Sequence, residues 1–239
     1  MNTLSGLREK SPINSFYIKI AAIIFMFIDH FAVAIIMDEI LYDGANTWNL
    51  YMFLRALGRF SFPVYCFFIV EGYKYTHDVE AYIKRLIIFG VISEIPFDMA
   101  IHGQVIALSG CNVFFTLALG LIVITVVDRY PLAKDIWLRL MVCMLCFGIA
   151  YLINTDYSFV GVALIAIFYF LRNNRMLCAL AGSIFIFLED MEIAVIIPMA
   201  LFFIAIVLYN GQRGRQMKYF FYAFYPLHLL VLGIIRVWM

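Results

Sequence analysis

Apolar residues form nine long runs along this chain, separated by short polar connections. Runs of this kind are typical of helices that cross a bilayer, which need roughly 20 residues each. The sixth and seventh runs are shorter, so we expect those helices to tilt little, to thin the membrane or to be partly buried. The pattern predicts an all-α, polytopic membrane bundle of nine helices. The runs cover approximately residues 16–37, 50–73, 82–101, 112–128, 136–153, 157–171, 176–188, 193–210 and 219–238.

The composition supports a membrane protein, since 65% of the residues are hydrophobic and only 14% are charged. Soluble domains are about half apolar and a quarter charged. The net charge of +1 predicts neither a nucleic acid nor an acidic partner. We expect a short cytoplasmic leader, residues 1–15, and one transmembrane domain, residues 16–239. Asp29 and His30 interrupt the first apolar run and no A-x-A site follows, so we interpret that helix as retained.

Basic residues fall in alternate connections, which predicts the orientation of the chain. One set of connections contains all the loop cations: Lys74, Lys84, Arg85, Arg129, Lys134, Arg139, Arg172, Arg175, Arg213, Arg215 and Lys218, after Arg8 and Lys10 of the leader. The other set has no Lys or Arg and contains Asp38, Glu39, Asp43, His102, Asp156, Glu189, Asp190 and Glu192. Cytoplasmic loops of membrane proteins are rich in Lys and Arg. The amino terminus is therefore predicted inside and the carboxyl terminus outside.

The segment Arg55–Tyr73, RALGRFSFPVYCFFIVEGY, places three charges within the second apolar run. Charged residues at membrane depth are costly and by default indicate function. Arg55 and Arg59 lie one helical turn apart on one face. Glu71 follows roughly 18 Å further along a helix, so it cannot neutralise them. Each end of the segment therefore needs a partner from elsewhere in the chain, or a ligand.

Further polar residues fall at membrane depth in four other predicted helices. They are Asp29, His30, Glu94, Asp98, Asn112, Thr116 and His228. With the predicted orientation, all but His228 are assigned to the outer half, together with the arginine pair, whereas Glu71 lies near the inner side. This distribution predicts a polar cavity that opens outwards and a separate feature on the cytoplasmic side.

Each of these residues also has a purely structural interpretation. Arg55 and Arg59 could face Glu94 and Asp98 in an antiparallel salt-bridge ladder, and Glu71 could cap its helix beside Lys74. His30 could be a satisfied hydrogen-bonding residue, and His228 could serve only in packing. The chemical interpretation is strongest for His30, because a neutral imidazole near a carboxylate is the usual general base near neutral pH. Asp29 points about 100° away around the helix, so the two residues do not automatically form a dyad.

The five cysteines do not predict a metal or redox site. Cys143 and Cys146 form a C-x-x-C pair, but it lies in the middle of an apolar run and has no second pair. We interpret these cysteines as small packing residues and expect no metal. Serine hydrolase, zincin and P-loop motifs are absent from the sequence. The predicted outer connections are too short for a catalytic domain, so any chemistry must occur within the bundle.

Four blocks of sequence resemble the TraX family of membrane proteins. They are FIDH in the first helix, RALGRFSFPVYCFFIVEG, KRLIIFGVISEIPFD and NVFFTL, which together span roughly residues 18–128, and YPLH near the carboxyl terminus agrees as well. TraX is named for a conjugation protein that N-acetylates the amino terminus of F-type pilin. The family resembles the larger set of multispanning acyltransferases, which use acyl-CoA, an intramembrane histidine on an early helix and nearby arginines.

The resemblance implies a role for each matching residue. His30 would be the general base, Asp29 would orient or support it, and Arg59 with Arg55 would hold the thioester carbonyl, its oxyanion or an anionic part of the donor. Residues that match the blocks but receive no individual role are assigned only to substrate or donor binding: Glu71, Glu94, Asp98, Asn112 and, from the last block, His228. Weaker candidates for binding CoA phosphates are Lys74, Lys84 and Arg85.

Together these observations predict a bacterial cytoplasmic-membrane acetyltransferase that transfers an acetyl group from acetyl-CoA to an outer glycan or peptide acceptor. Direct transfer needs a single base, and an acyl-histidine relay is the alternative route. A secondary transporter and a non-catalytic scaffold are the competing functions. The transporter predicts an inverted repeat, of which the sequence shows no sign, and the scaffold needs no buried cluster at His30 and Arg59. The lipid bilayer is the expected surrounding, and the short sixth and seventh helices could support an oligomer.

Overall fold

The computed structural model describes residues 11–37, 45–130 and 132–238, and within them the fold is built from nine helices. Their bounds are α1 (Ser15–Phe31, continued by a π-helix Ala32–Ile36), α2 (two segments, Ala45–Gly58 and Ser61–Tyr75), α3 (Val79–Phe97, continued by a π-helix Asp98–His102), α4 (Val113–Arg129), α5 (Leu132–Leu152), α6 (Ser158–Leu171), α7 (Arg175–Glu189), α8 (a 3-10 turn Ile193–Val195 and Ile196–Leu208) and α9 (Lys218–Trp238). The all-α prediction is confirmed. Most of the predicted leader, with Arg8 and Lys10, and the acidic residues Asp38, Glu39 and Asp43 lie outside the described residues.

Four of these helices are long and apolar enough to cross a membrane. They are Ser15–Ile36, Thr47–Tyr75, Asp135–Leu152 and Lys218–Trp238, and two shorter apolar helices cover Ser158–Leu171 and Ile193–Leu208. Side chains that face outwards are largely apolar; for example, Met144 is 71% exposed and Ile196 is 58% exposed. Such a surface belongs in lipid. The protein is therefore a membrane protein, while nine crossings and the orientation stay predictions.

Several helices begin at a side chain that caps their first turn. Asn14, Asp78, Asn112 and Asn174 each accept a hydrogen bond from a backbone N–H two or three residues further on. These caps satisfy N–H groups that have no partner within the helix. Capping has particular weight in a membrane protein, because lipid offers unpaired backbone groups no alternative partner.

Regular helical structure is interrupted in α1, α2 and α3, and also at Asp135 near the start of α5. The ends of α1 and α3 are π-helical, at Ala32–Ile36 and Asp98–His102. The helix α2 breaks at Arg59 and Phe60, where the amide of Arg59 bonds the Ala56 carbonyl in a tighter turn. The predicted second span was continuous, so the break refines that prediction. Such interruptions are frequent at functional sites, because they redirect side chains.

The helices enclose one main apolar core, and the site lies against α1, α2 and α9. Helix α1 packs on both segments of α2, and its π-helical end meets α9. The second segment of α2 packs on α6, while α9 packs on α3. At Gly58 an added Cβ would lie 2.3 Å from Cβ of Asp29, so only glycine lets α2 approach α1 this closely. That approach places Asp29 directly beneath the turn that carries Arg59.

Candidate active site

Two histidines from the first and last helices form a buried pair. His30 Nδ1 lies 2.7 Å from Nε2 of His228, and His228 Nδ1 lies 2.7 Å from the carbonyl oxygen of Phe224. A carbonyl oxygen can only accept, so Nδ1 of His228 must carry a proton. When both rings are neutral, Nε2 of His228 accepts from Nδ1–H of His30. This arrangement leaves Nε2 of His30 with an unshared lone pair, as a general base requires.

The Tyr225 ring lies beside this pair, and its hydroxyl has no acceptor for its proton within the described residues. The ring centroid of Tyr225 is 5.8 Å from those of both His30 and His228. The side chain is only 3% exposed, and the nearby Val113 amide can donate to the oxygen but cannot accept from it. A buried hydroxyl without an acceptor is costly and calls for an explanation. Its proton remains available to a ligand.

Asp29 and Arg55 form an ion pair on the other face of α1. Arg55 donates to Oδ1 of Asp29 over 2.7 Å, and both side chains are mostly buried. The structure therefore pairs Asp29 with an arginine, whereas the Nδ1 hydrogen bond of His30 goes to His228. The predicted contact of Asp29 with His30 is replaced by two separate pairs. Arg55 is nonetheless the charge that acts most strongly on the His30 ring.

Arg59 keeps an unused hydrogen-bond donor. Its Nε atom is buried and without a hydrogen-bond partner, and the closest carboxylate oxygen, Oδ2 of Asp190, is 4.0 Å away. The Tyr157 side chain is its hydrogen-bonding neighbour, and Asp29 lies within electrostatic range. A guanidinium with a free N–H is suited to bind an anionic or carbonyl oxygen.

The connection between α5 and α6 completes the site. Asn154, Tyr157 and Ser158 have φ angles of 47°, 62° and 45°, a region that residues with a side chain rarely adopt. Such strain persists where surrounding structure enforces it and is concentrated at functional sites. Here the Asp156 amide donates to the Cys111 carbonyl over 2.8 Å, and the Tyr157 ring stacks on Phe62 with centroids 3.7 Å apart.

Asp156 is the titratable group of this connection. Removal from water, together with the nearby Asp29 charge, raises the pKa of Asp156 from 3.8 to about 6, although Arg55 and Arg59 oppose the shift. Asp156 and Tyr157 are also electrostatic neighbours of Tyr225. The α5–α6 connection is therefore close both to the arginines, Arg55 and Arg59, and to Tyr225 beside the histidines.

The remaining outer carboxylates hold the structure together and do not meet the arginines. The side-chain amide of Asn112 donates to Glu94 and, over 2.8 Å, to the Gly90 carbonyl. Asp98 accepts from the Ala107 amide over 2.7 Å and so anchors the α3–α4 connection. The salt-bridge ladder, which was the structural alternative for the arginine pair, does not form among the described residues. Arg55 instead pairs with Asp29 of α1, and the carboxylate nearest to Arg59 is that of Asp190, directly after α7.

Comparisons with known proteins agree with the block pattern of the sequence. The family model described as "TraX protein" matches residues 15–236, which is nearly the whole described chain. The chain belongs to the TraX family. It is also 30% identical over 240 residues to "Probable fimbrial assembly protein FimC, serogroup H1" of Dichelobacter nodosus, with 92% of this chain and 94% of that protein covered. No solved structure matches.

Glu71 lies apart from the other site residues of this TraX-family chain, as predicted. It accepts a hydrogen bond from the Tyr209 hydroxyl over 3.4 Å and lies in electrostatic range of Lys19. It lines a cavity of about 340 Å³ together with Phe114. The Phe114 ring also packs on Tyr225, with centroids 5.1 Å apart, and Tyr225 in turn contacts His30, so aromatic contacts connect the wall of this cavity to the histidines.

Sequence reasoning missed Tyr225, Asp156 and Tyr157 as site residues. Tyr225 stands in the block YPLH that carries the resemblance, so its position was a usable signal. Asp156 and Tyr157 lie in a connection, and nothing in the sequence places that loop beside α1. His228 was assigned only to binding, whereas the structure makes it the direct partner of His30.

Proposed function

We propose that this protein is a membrane-embedded acyltransferase. It transfers an acetyl group from cytosolic acetyl-CoA to an acceptor at the outer half of the cytoplasmic membrane. The observation that supports this most is the His30–His228 pair, which leaves a basic nitrogen inside a buried cluster that also holds unused donors on Tyr225 and Arg59. Acyl transfer needs both functions, because a base must activate the acceptor and donors must stabilise the oxyanion.

The reaction is a direct transfer in which His30 moves one proton. Nε2 of His30 removes the proton from the acceptor amine or hydroxyl as its N or O atom attacks the thioester carbonyl carbon. The C=O electron pair moves to oxygen, and this oxyanion receives the hydrogen bonds of Tyr225 and Arg59. When the intermediate collapses, the C–S bond breaks, and the CoA sulfur takes the proton back from His30. The acylated acceptor and free CoA thiol are the products.

His228 positions the base and supports its charge. The bond from His228 Nδ1–H to the Phe224 carbonyl fixes the tautomer of His228, which in turn fixes that of His30. When Nε2 of His30 gains a proton, the lone pair of His228 Nε2 stabilises the imidazolium. The hydrogen bond from His228 Nδ1–H to the Phe224 carbonyl strengthens this effect, because it polarises the His228 ring. This is the orienting role that a carboxylate has in hydrolase triads, performed here by a neutral ring. The Asp29 carboxylate neutralises the nearby positive charge of Arg55.

Two acceptor classes fit the site, a surface glycan and a peptide amino terminus. The name of the Dichelobacter nodosus relative, a probable fimbrial assembly protein, favours a fimbrial subunit as the acceptor. Either class offers an amine or a hydroxyl whose proton His30 can remove. The outer position of the cluster, as predicted from the loop charges, makes both classes accessible from outside the cell.

Radiolabelled acetyl-CoA offered to the purified protein in detergent tests the proposal, with release of CoA thiol as the readout. We expect slow release by the wild type and none by His30→Ala. The matched control is His77→Ala, because His77 is exposed in the α2–α3 connection and far along the chain from the site. Release that survives in His30→Ala would overturn the mechanism. A wild type that neither releases thiol nor binds CoA would overturn the acyltransferase function and favour a transporter.

A further inference from the structure

The cavity of about 340 Å³ that Glu71 lines is unusually rich in cations. It lies at the end of the bundle that the loop charges predict to be cytoplasmic. Five basic side chains line it: Lys19, Arg85, Arg213, Arg215 and Lys218. Glu71 is the only carboxylate among the described residues of its wall. One carboxylate cannot neutralise five cations, so the cavity carries a strongly positive potential.

Two of these cations are positioned within the protein and are not merely part of a solvated loop. Nε of Arg85 is buried and has no hydrogen-bond partner among the described residues. The Arg85 guanidinium also lies over the Tyr82 ring, 5.7 Å from its centroid, and is a hydrogen-bonding neighbour of the Tyr222 hydroxyl. The Lys19 ammonium group, near the start of α1, lies 4.7 Å from the ring centroid of Phe68 and 5.7 Å from that of Phe221. Holding charge in such places is unfavourable unless an anion compensates it.

The walls between the cations are aromatic. The aromatic lining includes Tyr75, Tyr82, Tyr222 and Phe114. Aromatic faces beside arginines are suited to stack a nucleobase, while the basic groups bind its phosphates. Beyond Phe114 lies Tyr225, which contacts His30. The cavity therefore combines basic and aromatic lining residues, and one of these, Phe114, contacts Tyr225 of the candidate active site.

We propose that this cavity binds the phosphoadenosine diphosphate end of the acyl-CoA donor, with the acyl arm directed towards Phe114 and Tyr225. This assignment rests on the proposed acyltransferase function. It also changes which cations bind the donor. Arg85 lines the cavity, whereas its neighbours in the sequence-based prediction, Lys74 and Lys84, are not part of the wall.

Calorimetric titration of the detergent-purified protein with free CoA tests this assignment, because CoA carries no acyl group to turn over. We expect Arg85→Gln to weaken the Kd roughly tenfold, as loss of a charged hydrogen bond does. Lys84→Gln is the matched control, since it removes the adjacent charge outside the cavity and should leave the Kd within about twofold. Arg85→Lys should recover part of the affinity. Phosphoadenosine diphosphate should compete with CoA, and pantetheine should not.

Three outcomes separate this proposal from the function on which it rests. CoA that binds equally well to the wild type, Arg85→Gln and Lys19→Gln would overturn the cavity assignment and leave acyl transfer standing. CoA that fails to bind a correctly folded wild type would overturn both. A third outcome concerns anionic lipid, tested in nanodiscs of phosphatidylcholine with and without phosphatidylglycerol. If phosphatidylglycerol stabilises the wild type but not Arg85→Gln while CoA has no effect, the cavity binds a lipid headgroup and the proposal is wrong.

Discussion

His30 and His228 are 198 positions apart in the chain, and yet their rings share a hydrogen bond of 2.7 Å in the interior of the protein. The Phe224 carbonyl fixes the tautomer of His228 by accepting its Nδ1 proton, and His228 in turn fixes the tautomer of His30. The two side chains are therefore one functional unit. Chemistry assigned to His30 should fail when either ring is lost.

Replacement of His228 should abolish transfer almost as completely as replacement of His30. We expect His228→Phe to lower kcat by roughly a hundredfold or more, as loss of a positioned base does. The double variant His30→Phe/His228→Phe should be no worse than either single variant, because residues that act as a unit are not additive. Thiol release from acetyl-CoA measures this. Additive losses would show that the two histidines act independently.

The Tyr225 hydroxyl should contribute to activity without contributing to stability. Its proton has no acceptor in the resting protein, so Tyr225→Phe should leave the thermal unfolding temperature unchanged or raise it. Loss of an oxyanion donor should still lower kcat by roughly a hundredfold with little change in KM.

Tyr169→Phe provides the opposite control for that experiment. The Tyr169 hydroxyl donates to Asp128, at the other end of the bundle from the histidines as the predicted orientation places it. We expect this variant to lower the unfolding temperature while kcat is kept. If Tyr225→Phe also destabilises the protein and retains full activity, the hydroxyl is structural and has no part in transfer.

The ion pair of Asp29 and Arg55 should behave as a buried pair in a double-mutant cycle. Side-chain exposures of 13% and 22% mean that removal of one partner leaves the other charge poorly solvated. We expect Asp29→Asn or Arg55→Met alone to cost about 3 kcal/mol of unfolding free energy. The double variant should cost less than the sum. Denaturation in mixed detergent measures the cycle, and fully additive losses would contradict the pairing.

Much of the fold could be predicted from hydrophobic runs alone. The structure has a helix at each of the nine predicted runs, because apolar length and helix formation are set locally. The short sixth and seventh helices are confirmed as Ser158–Leu171 and Arg175–Glu189. The break in α2 was missed although two signals flank it: Gly58 directly precedes it, and Pro63 lacks the N–H that would bond the Arg59 carbonyl in a continuous helix.

The sequence indicated candidate residues for the site, but it did not indicate which of them interact with one another. Polar residues at membrane depth led us to expect partners for His30, Arg55 and Arg59, and the structure gives His30 and Arg55 one partner each. Which partner each one finds depends on the order of helices around the bundle, and spacing along the chain does not contain that information. Helix α3 follows α2 in sequence, yet Arg55 pairs with α1 and Glu94 pairs with Asn112. The strained loop at Asp156 was missed for the same reason.

The raised pKa of Asp156 should make stability depend on pH in a defined direction. In the folded protein its pKa is about 6, compared with an ordinary value of 3.8, so the folded state binds the proton more tightly than the unfolded state. Stability should therefore rise as the pH falls from about 7 through 6, by about 1 kcal/mol at about pH 5. Other charged groups act on this carboxyl group, namely Asp29, Arg55, Arg59 and Glu189. The pH profile of the wild type alone therefore does not isolate the contribution of Asp156.

Asp156→Asn isolates this contribution, because the amide stays neutral at every pH. The variant should exceed the wild type near pH 7, where the carboxylate is charged, and the gap should narrow by about 1 kcal/mol between pH 7 and pH 5. The difference between the two unfolding-temperature profiles should close only below the ordinary pKa of 3.8, where the wild-type carboxyl group is protonated in both the folded and the unfolded state. The matched control is Asp78→Asn, which alters an exposed helix cap and should shift the whole profile without changing its slope between pH 5 and 7. If the slopes of the wild type and Asp156→Asn are parallel over that window, the Asp156 carboxyl group is already ionised in the folded protein, and the burial that we assign to it is wrong.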